Sequence, residues 1–271
     1  MTLDQFLKSA WKDYHRLTPD APQVEGLLQA RGENFTNDHV AFRTFNIPGI
    51  RRHDVGALFE SWGYQMDPTE LDFPEKKLKA NYWLHADPTM PKVFVSELLL
   101  EKCSPELQSW IRSFVEPSVQ RMGKLTAEHL INKSIWEPIS FEDYERFYAE
   151  SEYAAWTAAF GIRVNHFTVL VNSLKSFTNL QDLNTFLTEK GFVLNSAGGV
   201  IKGTPSELLE QSSTMAKKIE WNFKGGVTRP ILGCYYEFAR RYPTPGTQKL
   251  FTGFIPKSAD KIFESTFEKK N

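Results

Sequence analysis

Asn165-His166-Phe167-Thr168-Val169-Leu170-Val171 is the stretch around which the rest of the chain can be organised. Its β-prone residues mark a strand with a histidine inside it. The dipeptide Glu237-Phe238 follows in a second strand-like run, 71 positions after His166. The first half repeats this order: Asp38-His39-Val40-Ala41-Phe42-Arg43 comes first, and Val93-Phe94-Val95-Ser96-Glu97 comes later. Each half therefore places a histidine in an early strand and a glutamate in a late one. Two imidazoles and one carboxylate suffice to hold a divalent metal and leave positions open for chemistry. The pattern points to an enzyme.

Outward from these strands the elements fall into two similar series. Residues 1–31 read as helices, broken at Pro19-Asp20-Ala21-Pro22. His39 to Phe45 is a strand, and Val55, Leu58, Phe59 and Trp62 mark an amphipathic helix that ends at Gly63. Tyr64 to Leu71, Ala80 to His85 and Val93 to Leu100 then read as strands. Residues 104–160 interrupt with helical segments whose aromatic content reads as packing. The second series runs from a strand at Arg163 to Asn172 through a helix at Leu180 to Lys190. Short β-like pieces follow, then an ambiguous join over 208–214, an extended run from Ile219 and a last strand from Ile231 to Tyr242. The expected architecture is α+β in one compact unit, 1–271. A helical cap (1–31) precedes a first βαβββ module (36–101), a helical insertion (104–160), a second βαβββ module (162–242) and a tail (243–271). The two modules are expected to form one curled mixed sheet around a central metal cavity.

Composition narrows the function. With 32 basic and 33 acidic residues the net charge is -1, so neither nucleic acid nor an anionic membrane is expected as a partner. No run approaches the roughly 20 apolar residues of a membrane span, and the amino terminus lacks a signal-peptide core. Cys103 and Cys234 form no CxxC pair and read as thiols of a reducing compartment. A cytoplasmic location is expected.

A single strand histidine is more often a satisfied core residue than a ligand. Here one recurs at the same place in both modules, beside Asp38 in one and Asn165 in the other. That recurrence favours His39, His166 and Glu237 as metal ligands. Zinc accepts this set with an open fourth site, and ferrous iron accepts it as a facial triad; spacing does not choose between them. Arg43 lies four residues beyond His39, on the same strand face by the two-residue period, and its guanidinium fork suits a carboxylate. Arg241 stands in the same relation to Glu237, whereas Arg240 faces the other way and reads as a solvated edge. Ser212, Ser213 and Thr214 lack a histidine-acid relay and are expected to line the pocket as hydroxyl donors. Glu97 is a weak candidate for a fourth ligand or for orienting a ligand histidine. His15 and His129, in helical surroundings, read as structural. The glycine pairs at 198–199 and 225–226 match no phosphate loop and read as turns.

The motifs HVAFRTF (39–45), VNHFTVLVN (164–172), LLEQSSTMA (208–216) and YYEFARRY (235–242) resemble the 2-oxoadipate dioxygenase/decarboxylase family of the vicinal oxygen chelate, glyoxalase-like superfamily. The resemblance covers roughly 30–250 and is most specific in the first and last motifs. It implies Fe(II) on His39, His166 and Glu237, with Zn(II) or another divalent metal able to occupy the site in a purified sample. It implies that Arg43 binds a substrate carboxylate and that 2-oxoadipate and O2 give 2-hydroxyglutarate and CO2. Two other readings stay open. One is a metal-dependent glyoxalase-like lyase, isomerase or hydrolase that needs no O2 and uses Glu97 as a fourth ligand. The other is a small-acid binding protein without turnover.

Overall fold

The computed structural model describes residues 1–131 and 134–267. Two helices, α1 (Leu3–Leu17) and α2 (Asp20–Ala30), lead into β1 (Asn37–Phe45), α3 (Arg52–Glu60), β2 (Tyr64–Met66), β3 (Leu71–Phe73), β4 (Leu78–His85) and β5 (Lys92–Leu98). Helices α4 (Pro105–Met122), α5 (Phe141–Glu150) and α6 (Glu152–Phe160) form the central insertion. The second series comprises β6 (Val164–Leu170), α7 (Leu180–Glu189), β7 (Lys202–Thr204), β8 (Leu209–Ser213), β9 (Lys218–Asn222), β10 (Thr228–Leu232) and β11 (Glu237–Arg241), followed by α8 (Pro256–Ile262).

The α+β class with a central helical insertion stands, but the expected curl of the sheet does not. The main sheet is open, in the order β2-β4-β5-β1-β6-β11-β8-β7, with β3 paired to β4. Its path is linear because the two series join by direct antiparallel pairing of β1 with β6, first strand to first strand. Within each series that first strand pairs in parallel with the late glutamate strand, β1 with β5 and β6 with β11. The site is consequently built on one face of three adjacent strands, β1, β6 and β11. Strand β5, which carries Glu97, lies on the far side of β1.

The second series also departs from a plain βαβββ. The ambiguous join contains an interior strand, β8, between β11 and β7. The expected last strand divides at 233–236, so that β10 leaves the sheet and pairs only with β9, while β11 enters it. A trace of the repeat survives in the backbone. Pro74-Glu75-Lys76-Lys77 and Pro205-Ser206-Glu207-Leu208 each make a 3-10 turn that ends in a left-handed residue, Lys77 at φ 58° and Leu208 at φ 64°, before the next strand starts.

Alternation along the strands separates two faces. Phe42 and Phe167 face the N-terminal helices: Phe6 lies 6.4 Å from Phe42, and Trp11 meets Phe167 edge-on at 4.8 Å. Full burial of such a ring is worth about 1.5–3 kcal/mol. The opposite face carries His39, His166, Thr168 and Glu237, and the chain after β11 covers it. The insertion is tied in by α6, whose Tyr153 hydroxyl donates to Ser96 O at 2.7 Å and accepts from Thr44 N at 3.1 Å, clamping β1 to β5.

Helix α3 lies so close to β4 that a Cβ on Gly56 would stand 1.9 Å from Trp83 Cζ2. The indole cannot easily yield, because it is fully buried and donates to Glu60 Oε1 at 2.9 Å. Gly56→Ala should therefore destabilise the protein by about 1–3 kcal/mol, read as a lower denaturant midpoint at unchanged slope. Gly26→Ala in α2, which meets nothing within 4 Å, should be neutral or stabilising by up to about 1 kcal/mol.

Candidate metal centre

Sheet register assembles the site. Thr168 on β6 is the pairing partner of both His39 on β1 and Glu237 on β11, and His166 is two residues away on the same face. One row of the sheet thus reads His39, Thr168, Glu237, with His166 beside it. The ligand atoms of the two histidines and Glu237 lie within 4.8 Å of one another, and all three residues are buried. His39 Nε2 is 3.5 Å from Glu237 Oε1 and His166 Nε2 is 3.2 Å from Oε2. The imidazole rings stand edge-to-face at 5.4 Å.

Each histidine is oriented from behind. Asp38 Oδ1 lies 2.7 Å from His39 Nδ1 and Asn165 Oδ1 lies 3.1 Å from His166 Nδ1. Both oxygens only accept, so Nδ1 donates in each ring and Nε2 keeps its lone pair for the site. Burial alone would push the Asp38 carboxyl up, but the charges of Arg241 and Lys92 hold it well below the usual carboxylate range. Burial lowers the pKa of both histidines; for His166 the closeness of the His39 ring, which would resist a second proton, and the charge of Arg43 add to this. Both rings are therefore neutral at ordinary pH, the form that binds metals.

Glu237 is the unbalanced member. Burial pushes its carboxyl up to about 8, against a hydrogen bond from Gln211 Nε2 to Oε1 at 2.6 Å. Its Oε2 accepts no hydrogen bond. This buried carboxyl group faces two neutral imidazoles with one oxygen unpartnered, and no cation stands close enough among the described residues to ionise it. The donor set fits a divalent metal such as Fe(II) or Zn(II).

The other expected site residues divide. Arg43 is buried on the site side and donates to Glu152 Oε1 and to Thr266 Oγ1, each at 2.8 Å. Its guanidinium lies 5.0 Å from the Tyr153 ring centre and 5.1 Å from that of Trp156, while Nε has no partner. Arg241 instead spends Nε and Nη2 on Asp38 at 2.6 and 2.8 Å, and Nη1 on the carbonyls of Phe251 and Gly253. It supports His39 through Asp38. Ser212 turns to the far face and donates to Asn184 of α7, Ser213 shares a hydrogen bond with Ser265, and Thr214 accepts from Tyr236 N. Glu97 stands outside the cluster, with both oxygens engaged by Arg52.

Sequence reasoning missed the groups that complete the site. Glu152 came from an insertion read as packing and Thr266 from a tail read as closing the chain. Gln211 sat in the ambiguous join; the β8–β11 pairing sets it opposite Ala239, one step along the same face from Glu237, to which its amide donates. Between Tyr235 and the triad on one side and Phe254, Ala259, Ile262 and Phe263 on the other lies a cavity of about 20 Å³.

The family model for 2-oxoadipate dioxygenase/decarboxylase matches residues 12–252. The chain is 39% identical over 256 residues to a chloroplastic 2-oxoadipate dioxygenase/decarboxylase of Arabidopsis thaliana, a match that covers 86% of this chain and 68% of the plant protein. Among solved structures, the hydroxyglutarate synthase of Oryza sativa in complex with 2-oxoadipate superposes with a TM-score of 0.89 at 32% identity, over 97% of this chain and 91% of that one. A protein from Shewanella frigidimarina superposes with a TM-score of 0.83 at 42% identity, over 93% and 97% of the two chains.

Glu237 makes metal uptake pH-dependent. The metal-free protein keeps a proton on this carboxyl below about pH 8, and a metal must displace it. Affinity should rise by about tenfold per pH unit between 6 and 8 and level off above that. Chelator competition across this range, with proton release measured by calorimetry in two buffers, checks it.

Proposed function

The chain belongs to the 2-oxoadipate dioxygenase/decarboxylase family, and we propose that it converts 2-oxoadipate and O2 into 2-hydroxyglutarate and CO2. His39, His166 and Glu237 would hold Fe(II). The observation that carries this reading is the buried triad whose carboxylate lacks a cation, with a buried arginine on the same side of the sheet. When bound, the iron supplies the one-electron chemistry that O2 requires, while loss of the substrate's own carboxyl group supplies the electrons.

The protein's residues bind, orient and exclude water. Arg43 is the anchor for a substrate carboxylate. Its bond to Thr266 is to a neutral hydroxyl, which a carboxylate replaces with a stronger, charge-assisted pair. Glu152 meanwhile balances a guanidinium that would otherwise be a lone buried charge. Phe254, Ile262 and Phe263 cover the triad with apolar surface, which keeps bulk water from the reacting carbon.

A volume of about 20 Å³ holds one water and no six-carbon diacid. The C-terminal segment must therefore move outward to admit substrate. Phe263 is the wall between this cavity and a surface cleft of about 250 Å³, also lined by Lys76 and Glu152. That cleft is the proposed way in. The glyoxalase-like alternative drew on Glu97 as a fourth ligand, and the bonds of Glu97 to Arg52 favour the three-ligand oxygenase instead.

Among the described residues no helix is long and apolar enough to cross a membrane. The two buried free thiols, Cys103 and Cys234, support the cytoplasm as the working compartment.

Protein loaded anaerobically with Fe(II) should consume one O2 per 2-oxoadipate and release one CO2 and one 2-hydroxyglutarate. His166→Ala should lose both metal and uptake; turnover without O2 would refute the oxygenase. Arg43→Lys keeps the charge but loses the fork. It should bind metal normally and lose about 10- to 100-fold in kcat/KM for 2-oxoadipate.

A further inference from the structure

We propose that Tyr235 is a substrate-facing hydrogen-bond donor, holding with Arg43 one carboxylate of the 2-oxo acid. This rests on the reading of the site as a 2-oxo acid site.

Tyr235 lies in the break between β10 and β11, two residues before the ligand Glu237. Its ring stacks on His166 with centroids 4.6 Å apart and planes 24° from parallel. Its backbone is pinned by a hydrogen bond from the Tyr14 hydroxyl to the Tyr235 carbonyl. The side chain is fully buried and forms part of the cavity wall beside His166 and Glu237. Within this well-fixed setting the phenol oxygen has no hydrogen-bond partner, and neither has Arg43 Nε. Buried donors are rarely left unpaired, because each loses its water without replacement.

Phe263 links the two orphan donors: it lines the cavity with Tyr235, and its ring centre lies 5.9 Å from the Arg43 guanidinium. An ordinary phenol carries its proton at neutral pH, so this one has a hydrogen to donate. A site with two unpaired donors beside a metal triad calls for an anionic acceptor, and a carboxylate oxygen is one.

The adjacent Tyr236 supplies the internal contrast. Its hydroxyl is also unpartnered and buried. Its ring, however, lies on the opposite face among Trp11, Tyr14 and Phe238, at 5.9, 6.3 and 5.3 Å. It forms no part of the cavity wall described by Tyr235.

Tyr235→Phe removes one oxygen atom and keeps the stacking, and Tyr236→Phe does the same on the other face. Anaerobic calorimetry with 2-oxoadipate on Fe(II)-loaded protein should show about 10- to 100-fold weaker binding for Tyr235→Phe. Tyr236→Phe should bind as wild type does. Metal affinity should be unchanged in both, and metal-free Tyr235→Phe should melt no lower than wild type, because the lost hydroxyl had no partner. A repeat with 2-oxohexanoate, which lacks the distal carboxylate, assigns the contact. A penalty that vanishes places it on the distal group, and one that persists places it on the carboxylate next to the oxo carbon. Substrate affinity equal to wild type in Tyr235→Phe overturns the proposal. So does a matching loss of metal affinity or melting temperature, which would make the hydroxyl a structural support. In the wild-type protein, substrate should also shift the tyrosine near-UV band to the red, and no shift counts against Tyr235 without any variant. Absence of O2 uptake by wild type would refute the oxygenase alone, since the binding comparison does not depend on turnover.

Discussion

Thr168 pairs with His39 on one side and with Glu237 on the other, and the site depends on that register. Backbone hydrogen bonds hold the three strands about 4.8 Å apart, so a one-residue slip of β6 would turn His166 and Thr168 to the helical face. The antiparallel β1–β6 pair joins the two repeated halves into one open sheet, and the same contact brings the two histidines together. The Thr168 hydroxyl confirms the alignment at side-chain level, lying 3.0 Å from His39 Nε2.

Around that register the protein handles buried charge with care. Asp38 is matched by Arg241 and Lys92, and Arg43 by Glu152. Breaking such a pair leaves an uncompensated charge away from water, which is strongly destabilising. Glu237 is the exception within the site: it has an amide and two neutral imidazoles but no cation at ion-pair distance among the described residues. A carboxylate raised to about 8 is a poor structural element and a good metal ligand, because the metal repays its desolvation.

Both arginines of the site also hold the chain that covers it. Arg241 Nη1 grips the carbonyls of Phe251 and Gly253, after which Phe254 lies edge-on to His39 at 4.9 Å. Arg43 reaches Thr266, and Ser265 is bound by Ser213 and Asn195. The cover is thus fastened by polar contacts at its ends and apolar between them. Its last part lies beyond residue 252, where the family match stops.

Local pattern made much of this legible. The repeated order of histidine strand, helix and glutamate strand could be read directly, because side-chain alternation and helix periodicity are properties of neighbouring residues. The common face of His39 and Arg43 followed from the same alternation. Pairing could not be read that way. The open sheet, the β8 strand hidden in a polar join and the departure of β10 depend on which strands bond to which. The partners of the arginines were equally out of reach: Glu152 lies 109 positions from Arg43, Thr266 lies 223, and Asp38 is 203 from Arg241. The sequence by itself determined which residue types could hold a metal and on which strand face each would stand. The tertiary structure alone decided that Arg241 serves Asp38 and that a C-terminal segment covers the triad, because charge pairing and burial are settled between segments that meet only after the chain has folded.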